Sequence, residues 1–489
     1  MSPSLSDIVE EARLTARALM DYGDHFFSPT VRVGVTGLSR AGKTVFITAL
    51  VNGLTRGGRF PIFEPLATGR IARARLEPQP DDAVPRFGYE DHVRTLIQQR
   101  NWPTSTVDIS ELRLVIDYQR QNGADRTLTL DIVDYPGEWL LDLPLLKKSY
   151  EQWSRESLML SRERARAPLA AQWHSHLATL DAAGHEDEQA ALTATRLFTD
   201  YLRACRDERF AMSLLPPGRF LMPGSLAGSP ALTFAPLDLP DDGAAPAASL
   251  WAMMRRRYEA YKDVVVRPFF RDHFSRLDRQ VVLVDALAAF NSGPAALVDL
   301  EAALAGILDC FRIGRSTLLS NLFRPRIDRI LFAATKADHL HHASHDRLEA
   351  VLRRIVNRAV ARAEDTGAEI DVVALAAVRA TREAQMQRGR EKLPSLLGTP
   401  AAGESADGES FDGATEVATF PGDLPADAEE LFRSETAFRG LSSATAEKSD
   451  FRFLRFRPPL LEADGTGEPV LPHIRLDRAL QFLIGDKLQ

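Results

Sequence analysis

The chain has 489 residues and a net charge of −7, with 45% hydrophobic and 26% charged residues. This composition excludes fibrous, disulfide-rich and wholly disordered classes, and the acidic balance argues against a nucleic-acid partner. The length is enough for one main domain with large insertions. Basic residues cluster at 162–166 and 255–262, where we interpret them as solvated helix faces.

The cellular compartment follows from cysteine usage and hydropathy. Two cysteines, without a CxxC pair or the layout of a signal peptide, favour a reducing cytosol. The longest uncharged stretch, residues 220–237, is interrupted by prolines and glycines, so we expect no transmembrane segment. We therefore expect a cytoplasmic protein.

The first part of the chain predicts an α/β core. Apolar residues at helical spacing predict an amphipathic helix within residues 1–30. A β-branched run, a glycine-containing turn and a helical pattern then predict a strand, a loop and a helix. After a polar segment, two alternating runs predict a hairpin around Asn122-Gly123, and we place the first part of the core at residues 31–145. The strands are predicted at 31–36, 112–118 and 128–133, the helix at 45–54 and the polar segment at 57–103.

The second part predicts one helical insertion and a return to the core. Residues 146–277 carry long helical patterns without a convincing buried strand, whereas strands and helices alternate again in residues 278–383, as in a largely parallel sheet. Acidic residues among Gly, Ala, Ser and Pro predict a partly mobile insertion at 384–449, and residues 450–489 should pack on the core. The strands are predicted at 281–284, 327–334 and 372–376, and the helices at 297–311, 348–363 and 476–483.

The segment after the first strand matches the GxxxxGK[ST] pattern of a phosphate-binding loop. Its glycines let backbone N–H groups wrap phosphate oxygens, and the next helix points its positive end at the anion. In this arrangement Lys43 contacts the β- and γ-phosphates and the hydroxyl of Thr44 binds Mg²⁺. The predicted nucleotide-binding residues of the loop are Gly37, Ser39, Arg40, Ala41, Gly42, Lys43, Thr44 and Val45.

A second pattern, DxxG, follows the hairpin. We expect Asp134 to hold Mg²⁺, which prefers oxygen ligands, and the N–H of Gly137 to contact the γ-phosphate. Glu138 stands where many regulatory GTPases have the Gln that positions water, so Glu138 and Lys43 are candidate catalytic residues. Thr106 is the best placed of the candidates for the switch I threonine, which binds the metal and takes part in catalysis. Those candidates are Thr68, Thr95, Thr104 and Thr106, and the candidate arginine fingers are Arg40, Arg70, Arg73 and Arg75.

The third pattern selects the base. Thr335, Lys336 and Asp338 follow a buried strand in the [NT]KxD arrangement that separates GTPases from most ATPases. Guanine presents N1–H and N2–H₂ donors to the Asp338 carboxylate, whereas adenine would leave that carboxylate unpaired. Lys336 would lie along the base, and backbone N–H groups at Ala377 and Val378 would contact the guanine carbonyl. We therefore predict GTP and GDP as ligands.

Histidines crowd the segment after Asp338. His341 and His345 would share one helix face, as zinc ligands do. No acidic or Cys ligand set with clear spacing accompanies them, so we interpret the segment as a solvated helix start.

Four stretches resemble the YcjX-like family of bacterial P-loop GTPases. They are GLSRAGKTVFI at 37–47, DYPGEWLLDLPLL at 134–146, TKADH at 335–339 and PHIRLDRALQFL at 472–483. The resemblance implies an α/β fold with a Ras-like P-loop NTPase core, a mostly parallel sheet, a large helical insertion and an acidic C-terminal insertion. It also implies Mg²⁺-dependent GTP hydrolysis, a link to envelope stress and a membrane-protein partner at the inner membrane. Trp139, His473 and Arg475 would belong to a family-specific surface.

Two alternative functions stay open. Glu138 in place of Gln permits a nucleotide-dependent scaffold with negligible hydrolysis. The phosphate-binding loop alone would also permit an ATPase or a small-molecule kinase.

Overall fold

The computed structural model describes residues 29–489, except 39, 105, 241–243, 311–326, 365–367, 389–390, 407–408, 429–430, 432–452 and 462–468. The amphipathic helix predicted within residues 1–30 lies outside the described residues. So does Ser39 of the phosphate-binding loop.

A seven-stranded sheet forms the centre of the molecule. Its strands are β1 Thr30–Gly37, β2 Ile71–Glu77, β3 Ser110–Gln119, β4 Asp125–Asp134, β5 Arg279–Val284, β6 Arg329–Ala334 and β7 Glu369–Ala374. They are arranged in the order β2-β3-β4-β1-β5-β6-β7. The strands from β4 to β7 in this order pair in parallel, and β3 pairs antiparallel with both β2 and β4. The largely parallel core and the hairpin are thereby confirmed.

Strand β2 was not predicted and lies within the segment that we interpreted as polar. Its residues read IARARLE, and none of them is fully buried. An edge strand of this kind keeps polar side chains on its exposed positions, so it lacks the continuous apolar run of a central strand.

Helices cover both faces of the sheet, because side chains alternate along each central strand. On β5, Val281 and Leu283 pack in one hydrophobic cluster, and Val282 and Val284 pack in the other. The first cluster is covered by α1 Lys43–Thr55, α2 Glu64–Ala67, α3 Tyr89–Ile97 and the C-terminal helix, which is numbered α13, Leu476–Ile484. The second face carries the insertion together with α10 Ala286–Ser292, α11 Pro294–Cys310 and α12 His345–Glu364.

The insertion between β4 and β5 contains several helices and no strand within its described residues, in agreement with the predicted helical insertion. It begins with a 3-10 segment, Gly137–Lys147, and an aromatic cluster lies at its centre, where Trp153 stacks on Tyr258 at a centroid distance of 5.1 Å. Ser149, Asp187 and Ser249 cap the N-termini of three helices with their side-chain oxygens. The helices are α4 Tyr150–Ser161, α5 Ala167–Leu177, α6 Glu188–Arg206, α7 Gly218–Leu221, α8 Leu250–Tyr261 and α9 Arg267–Asp272.

The prediction that the basic residues at 162–166 form a solvated helix face is wrong for Arg166. The side chain of Arg166 is 1% exposed and forms an ion pair with Asp299 of α11. Its guanidinium also donates to the hydroxyl of Tyr201 and the carbonyl of Leu214. A buried guanidinium needs such partners, and Asp299 is 133 residues away in sequence. Local sequence could not reveal it.

The segment predicted as a partly mobile acidic insertion contains ordered strands. β8 Arg382–Arg388, β9 Glu391–Gly398 and β12 Val417–Thr419 form an antiparallel sheet, and β10 Ser405–Ala406 pairs with β11 Glu409–Ser410. The polar residues of β8 concealed this sheet, because strands were sought as apolar runs. In the same part of the chain, Ala380, Leu454 and Phe456 form a small hydrophobic cluster, against which Ala406 of β10 and Phe411 pack.

Candidate functional site

A cavity of about 610 Å³ lies where the carboxyl ends of β1, β5 and β6 meet the insertion. Such a volume is in the range of small-molecule sites, and this edge of a parallel sheet is where α/β proteins bind ligands. The core contributes the phosphate-binding loop and residues 335–338, the insertion contributes residues 206–215, and the C-terminal part contributes residues 453–456.

We call the part of the cavity at residues 40–45 the phosphate end, because the predicted phosphate-binding loop lines it. Gly42 has φ 81°, a conformation that favours glycine, and it precedes α1 without a side-chain cap. The first N–H groups of α1 are therefore free to receive an anion. Lys43 is buried and donates from Nζ to the carbonyl of Gly37 at 3.3 Å. The predicted loop residues that line this end are Arg40, Ala41, Gly42, Lys43, Thr44 and Val45.

Three oxygen-bearing side chains meet beside Lys43. The hydroxyl oxygens of Thr44 and Thr106 are 3.3 Å apart, and the Thr106 hydroxyl donates to Oδ2 of Asp134. Oδ1 of Asp134 is buried without a hydrogen-bond partner. Burial raises the pKa of the Asp134 carboxyl, and the Lys43 charge opposes that shift. A hard cation such as Mg²⁺ fits this set, since it would satisfy the unpartnered oxygen.

The structure separates the other switch I candidates from this group. Thr104 lines the cavity, but Thr68 and Thr95 donate to carbonyls within their own helical turns. Of the four candidates, Thr106 is the one whose hydroxyl contacts Thr44 and Asp134.

The segment after Asp134 is held by two close backbone contacts. A Cβ on Gly137 would lie 2.1 Å from the carbonyl oxygen of Gly37, so only glycine fits against the phosphate-binding loop. A Cβ on Gly218 would lie 1.8 Å from the carbonyl oxygen of Glu138. The DxxG segment is therefore wedged between the core and the insertion.

Trp139 belongs to the segment that follows Gly137, and the prediction that it lies on a surface is wrong. The side chain is 2% exposed, its Nε1 donates to the carbonyl of Met222 at 3.0 Å, and the guanidinium of Arg219 lies 3.1 Å from its ring centroid. His473 and Arg475 instead dock the C-terminal segment: His473 contacts the carbonyl of Arg59 at 2.9 Å, and Arg475 pairs with acidic residues of α12.

Asp142 ties the same segment to the insertion. Its carboxylate accepts from the N–H of Gly218 at 2.7 Å and from the hydroxyl of Tyr261 at 2.6 Å. Burial raises the pKa of Asp142 to about 6, although these hydrogen bonds oppose the shift. Asp142 lies within the stretch 134–146 that carries the family resemblance, but no sequence pattern predicted its contacts with Gly218 and Tyr261.

Glu138 lies at the wall of the cavity with its side chain 6% exposed, 3.9 Å from Nη1 of Arg206. The candidate fingers Arg70, Arg73 and Arg75 do not line this cavity. Arg70 pairs with Glu64, and Arg73 and Arg75 belong to the edge strand β2. Arg206 was missed because it belongs to no motif and lies at the end of a helix in the insertion.

We call the part of the cavity at residues 335–338 and 376–378 the base end, because the residues predicted to contact the base line it. Lys336 has φ 60° and donates from Nζ to Asp285, which follows β5. Asp338 is 3% exposed, and its Oδ2 accepts from the N–H of Ala380 at 2.8 Å. The N–H of Thr335 donates to the carbonyl of Val284 at the end of β5, at 3.0 Å.

Two further residues border the base end as predicted. Ala377 and Val378 line the cavity together with Ala376, whose own N–H is taken by the carbonyl of Ile474 at 3.1 Å. The structure thus brings the predicted base-contacting residues together. Asp285 and Ala380 were missed, because neither belongs to a known pattern.

The histidine segment differs from the predicted helix start. His341 precedes α12, so it does not share a helix face with His345, which contacts the carbonyl of Leu340 at 3.2 Å. Strand β8 brings Glu383 to His342 Nδ1 at 2.9 Å and to His341 Nε2 at 4.0 Å, so an acidic neighbour does exist. Nδ1 of His341 accepts from the N–H of Ala343 at 3.4 Å. His341, His342 and Glu383 thus form a cluster of polar side chains between the segment before α12 and β8.

Comparison with known proteins agrees with this geometry. A family model described as "YcjX-like family, DUF463" matches residues 31–488. A protein of Escherichia coli K12 named "Ras-like GTPase YcjX" is 38% identical over 475 residues, covering 94% of this chain and 96% of the relative. A protein of the same name from Shewanella oneidensis MR-1 is 34% identical over 487 residues, covering 94% and 95%.

In the part of the chain that the structure describes, no helix is both long enough and apolar enough to cross a membrane. The match over almost the whole chain establishes its relationship. The chain belongs to the YcjX-like family.

Proposed function

We propose that the chain binds GTP with Mg²⁺, hydrolyses it to GDP and phosphate, and acts as a conformational switch. The observation that carries this proposal is the buried, unpartnered Oδ1 of Asp134 beside the hydroxyls of Thr44 and Thr106. An orphaned buried carboxylate oxygen is costly unless a ligand satisfies it. The relatives named "Ras-like GTPase YcjX" support the same activity.

Guanine is the base that best suits the other end of the cavity. With Oδ2 of Asp338 fixed by the N–H of Ala380, the carboxylate is held at the cavity wall, where it can accept from N1–H and N2–H₂ of guanine. Lys336 is held by Asp285, so its aliphatic stem is in place to cover the base. An adenine would meet the same carboxylate with an acceptor, and that mismatch disfavours ATP.

The phosphate end supplies the remaining groups of the proposed reaction. Lys43 and the first N–H groups of α1 would bind the β- and γ-phosphates, and Glu138 would orient the attacking water. Thr44, Thr106 and Asp134 would hold Mg²⁺, which when bound neutralises phosphate charge.

The switch follows from the contacts of Gly137. Its N–H is the predicted sensor of the γ-phosphate, and the segment that begins with it is buried against the insertion. A movement of this segment must therefore displace Gly218 and the Asp142 contacts as well. We propose that the insertion reports the nucleotide state.

Competition binding and single-turnover hydrolysis test the proposal. GDP should displace a fluorescent guanine nucleotide at least about 100-fold more effectively than ADP, and Asp338→Asn should remove most of this preference. Hydrolysis of bound GTP should require Mg²⁺. Equal affinity for GDP and ADP would contradict the guanine assignment, and no turnover with tightly bound GTP would contradict hydrolysis.

A scaffold that binds GTP with negligible hydrolysis is the second candidate, and Glu138 favours it. Its carboxylate lies near the phosphate end, where it would repel the γ-phosphate. In that case bound GTP would persist in a single-turnover experiment. The envelope-stress link and the membrane-protein partner implied by the resemblance stay predictions.

A further inference from the structure

Arg206, at the end of α6, has no motif to explain its place in the cavity wall. Building on the proposed GTPase function, we infer that Arg206 is the arginine that stabilises the transition state of GTP hydrolysis. The insertion thus supplies within one chain the positive charge that other GTPases obtain from a separate activating protein.

The position of Arg206 is fixed relative to the phosphate end. Gly137 touches Gly37 at the start of the phosphate-binding loop, and Glu138 follows at the cavity wall. Nη1 of Arg206 lies 3.9 Å from Oε1 of Glu138. The same cavity is lined by Lys43 and Thr44, so Arg206 faces the space in which we place the γ-phosphate.

Three arginines of the described chain line this cavity, and they differ in how firmly they are held. Arg40 pairs with Glu208 at 2.5 Å, and Arg455 pairs with both Glu208 and Glu404 at 3.0 and 2.6 Å. Each of these two guanidiniums is already engaged by a carboxylate at hydrogen-bonding distance.

Arg206 is the loosely held member of the three. Its distance to Glu138 is longer than a hydrogen bond, and its Nη1 contacts Met222 Sδ, a weak acceptor, at 3.4 Å. With its side chain 29% exposed, Arg206 has room to move and N–H donors to offer. A phosphate, which guanidinium binds with two parallel hydrogen bonds, is a better partner than either neighbour.

Glu138 acts on Arg206 as a positioning residue. Its nearly buried carboxylate attracts the guanidinium into the cavity before nucleotide binds, and this pairing also lowers the repulsion between Glu138 and the γ-phosphate. Glu138, whose own charge would repel the γ-phosphate, thus holds in place the Arg206 guanidinium that promotes hydrolysis.

The proposed reaction balances in bonds and in charge. The oxygen of water forms a bond to the γ-phosphorus, the bond from that phosphorus to the β–γ bridging oxygen breaks, and its electron pair stays on the bridging oxygen. GTP⁴⁻ and H₂O thus give GDP³⁻ and H₂PO₄⁻, with both water protons leaving on phosphate. Arg206 stabilises the negative charge that grows on the bridging and γ-oxygens.

Single-turnover GTP hydrolysis by the full chain tests the inference. Arg206→Ala should lower the rate by about 100-fold or more, with GDP affinity changed less than about threefold. Affinity for GDP with aluminium fluoride, an analogue of the transition state, should fall at least about tenfold, and added guanidinium should restore part of the rate. Arg203→Ala is the matched control, because Arg203 lies three residues earlier, is 57% exposed and pairs with Asp200.

The possible outcomes separate the two proposals. No hydrolysis by the unmodified chain would overturn both, whereas hydrolysis by Arg206→Ala at the unmodified rate would overturn the role of Arg206 alone. If Arg206→Ala fails to fold, Arg206→Lys takes its place, because lysine keeps the positive charge but cannot donate the two parallel hydrogen bonds of a guanidinium. Glu138→Gln should slow the unmodified chain but add little to Arg206→Ala. An equal loss in both backgrounds would overturn the positioning role.

Discussion

The two ends of the cavity differ in how far the protein satisfies its own polar groups. At the base end, Asp338, Lys336 and Thr335 all have internal partners. At the phosphate end, Oδ1 of Asp134 has none, and α1 begins without a side-chain cap. A group that lacks a partner gains most from a ligand. We therefore expect the phosphate end to supply most of the binding energy and the base end to supply selectivity.

The sharpest test of this difference is Lys43→Ala. Removal of the buried ammonium should weaken GDP and GTP by roughly 1,000-fold, since it leaves phosphate charge without its nearest cation. Titration with a fluorescent nucleotide measures the loss, and Lys147→Ala, an exposed lysine, serves as the control. A loss below about tenfold would contradict the assignment of this end as the main source of affinity.

Gly137→Ala should have the next largest effect. Its Cβ would lie 2.1 Å from the Gly37 carbonyl oxygen, so the free energy of unfolding should fall by about 3 kcal/mol in urea denaturation. Gly306→Ala is the matched control: it lies inside α11 with open space around it, and alanine there should stabilise by roughly 0.5–1 kcal/mol. Equal effects of the two changes would contradict the close contact.

A smaller effect is expected at the base end from Asp285→Asn. The Asp285 side chain caps α10 by accepting from the N–H of Ala288 at 3.1 Å, and an asparagine oxygen can do the same. The substitution removes only the negative charge that holds Lys336. GDP affinity should fall about fivefold to tenfold while the weak ADP affinity stays constant. If both nucleotides weakened equally, the base end would not be the selective one.

The last test of the comparison is the pH dependence of Mg²⁺ binding. Burial raises the pKa of Asp134, so its protonated form persists at higher pH than that of an exposed aspartate. Mg²⁺ competes with this proton, and its affinity should fall by up to about tenfold for each pH unit below that pKa. Without metal, the pH dependence of the free energy of unfolding is opposite to that of Mg²⁺ binding. The stabilisation that comes from protonated Asp134 is present at low pH and is lost as pH rises through the raised pKa.

Melting temperatures with and without Mg²⁺ across a pH series measure this dependence. Asp134→Asn should melt without a Mg²⁺ effect at any pH. A metal-induced shift that stays constant from acidic to neutral pH would contradict the role of the Asp134 carboxylate.

Sequence patterns were sufficient for the parts of the candidate site that have a fixed spacing at strand ends. The phosphate-binding loop and the 335–338 segment line one cavity, Asp134 contacts the lining residue Thr106, and Gly137 directly precedes the lining residue Glu138. Each lies at or just after the end of a predicted strand. Thr106 was chosen by order alone, and its hydroxyl lies 3.3 Å from that of Thr44.

Sequence reasoning failed where a residue acts through a distant partner. Arg206 is separated from Glu138 by 68 positions (206 − 138), and Asp285 from Lys336 by 51. Neither pairing has a spacing that recurs among proteins, so only the packed insertion and the sheet reveal them. The β8 strand was missed because its residues are polar, and the resemblance placed Trp139 on a surface although it is buried. In both cases tertiary contacts decide the environment of the residue.

The order of the sheet has a consequence for synthesis. β1 pairs with β4 on one side and β5 on the other, yet residues 135–278 separate β4 from β5 in the chain. At roughly 5–20 residues per second, a ribosome needs about 7–30 seconds to make that stretch. During this interval the nascent chain carries β1, with Val31, Val33 and Val35, as an open strand edge that invites pairing with other chains. The speed of translation through the insertion should therefore influence the yield of folded protein.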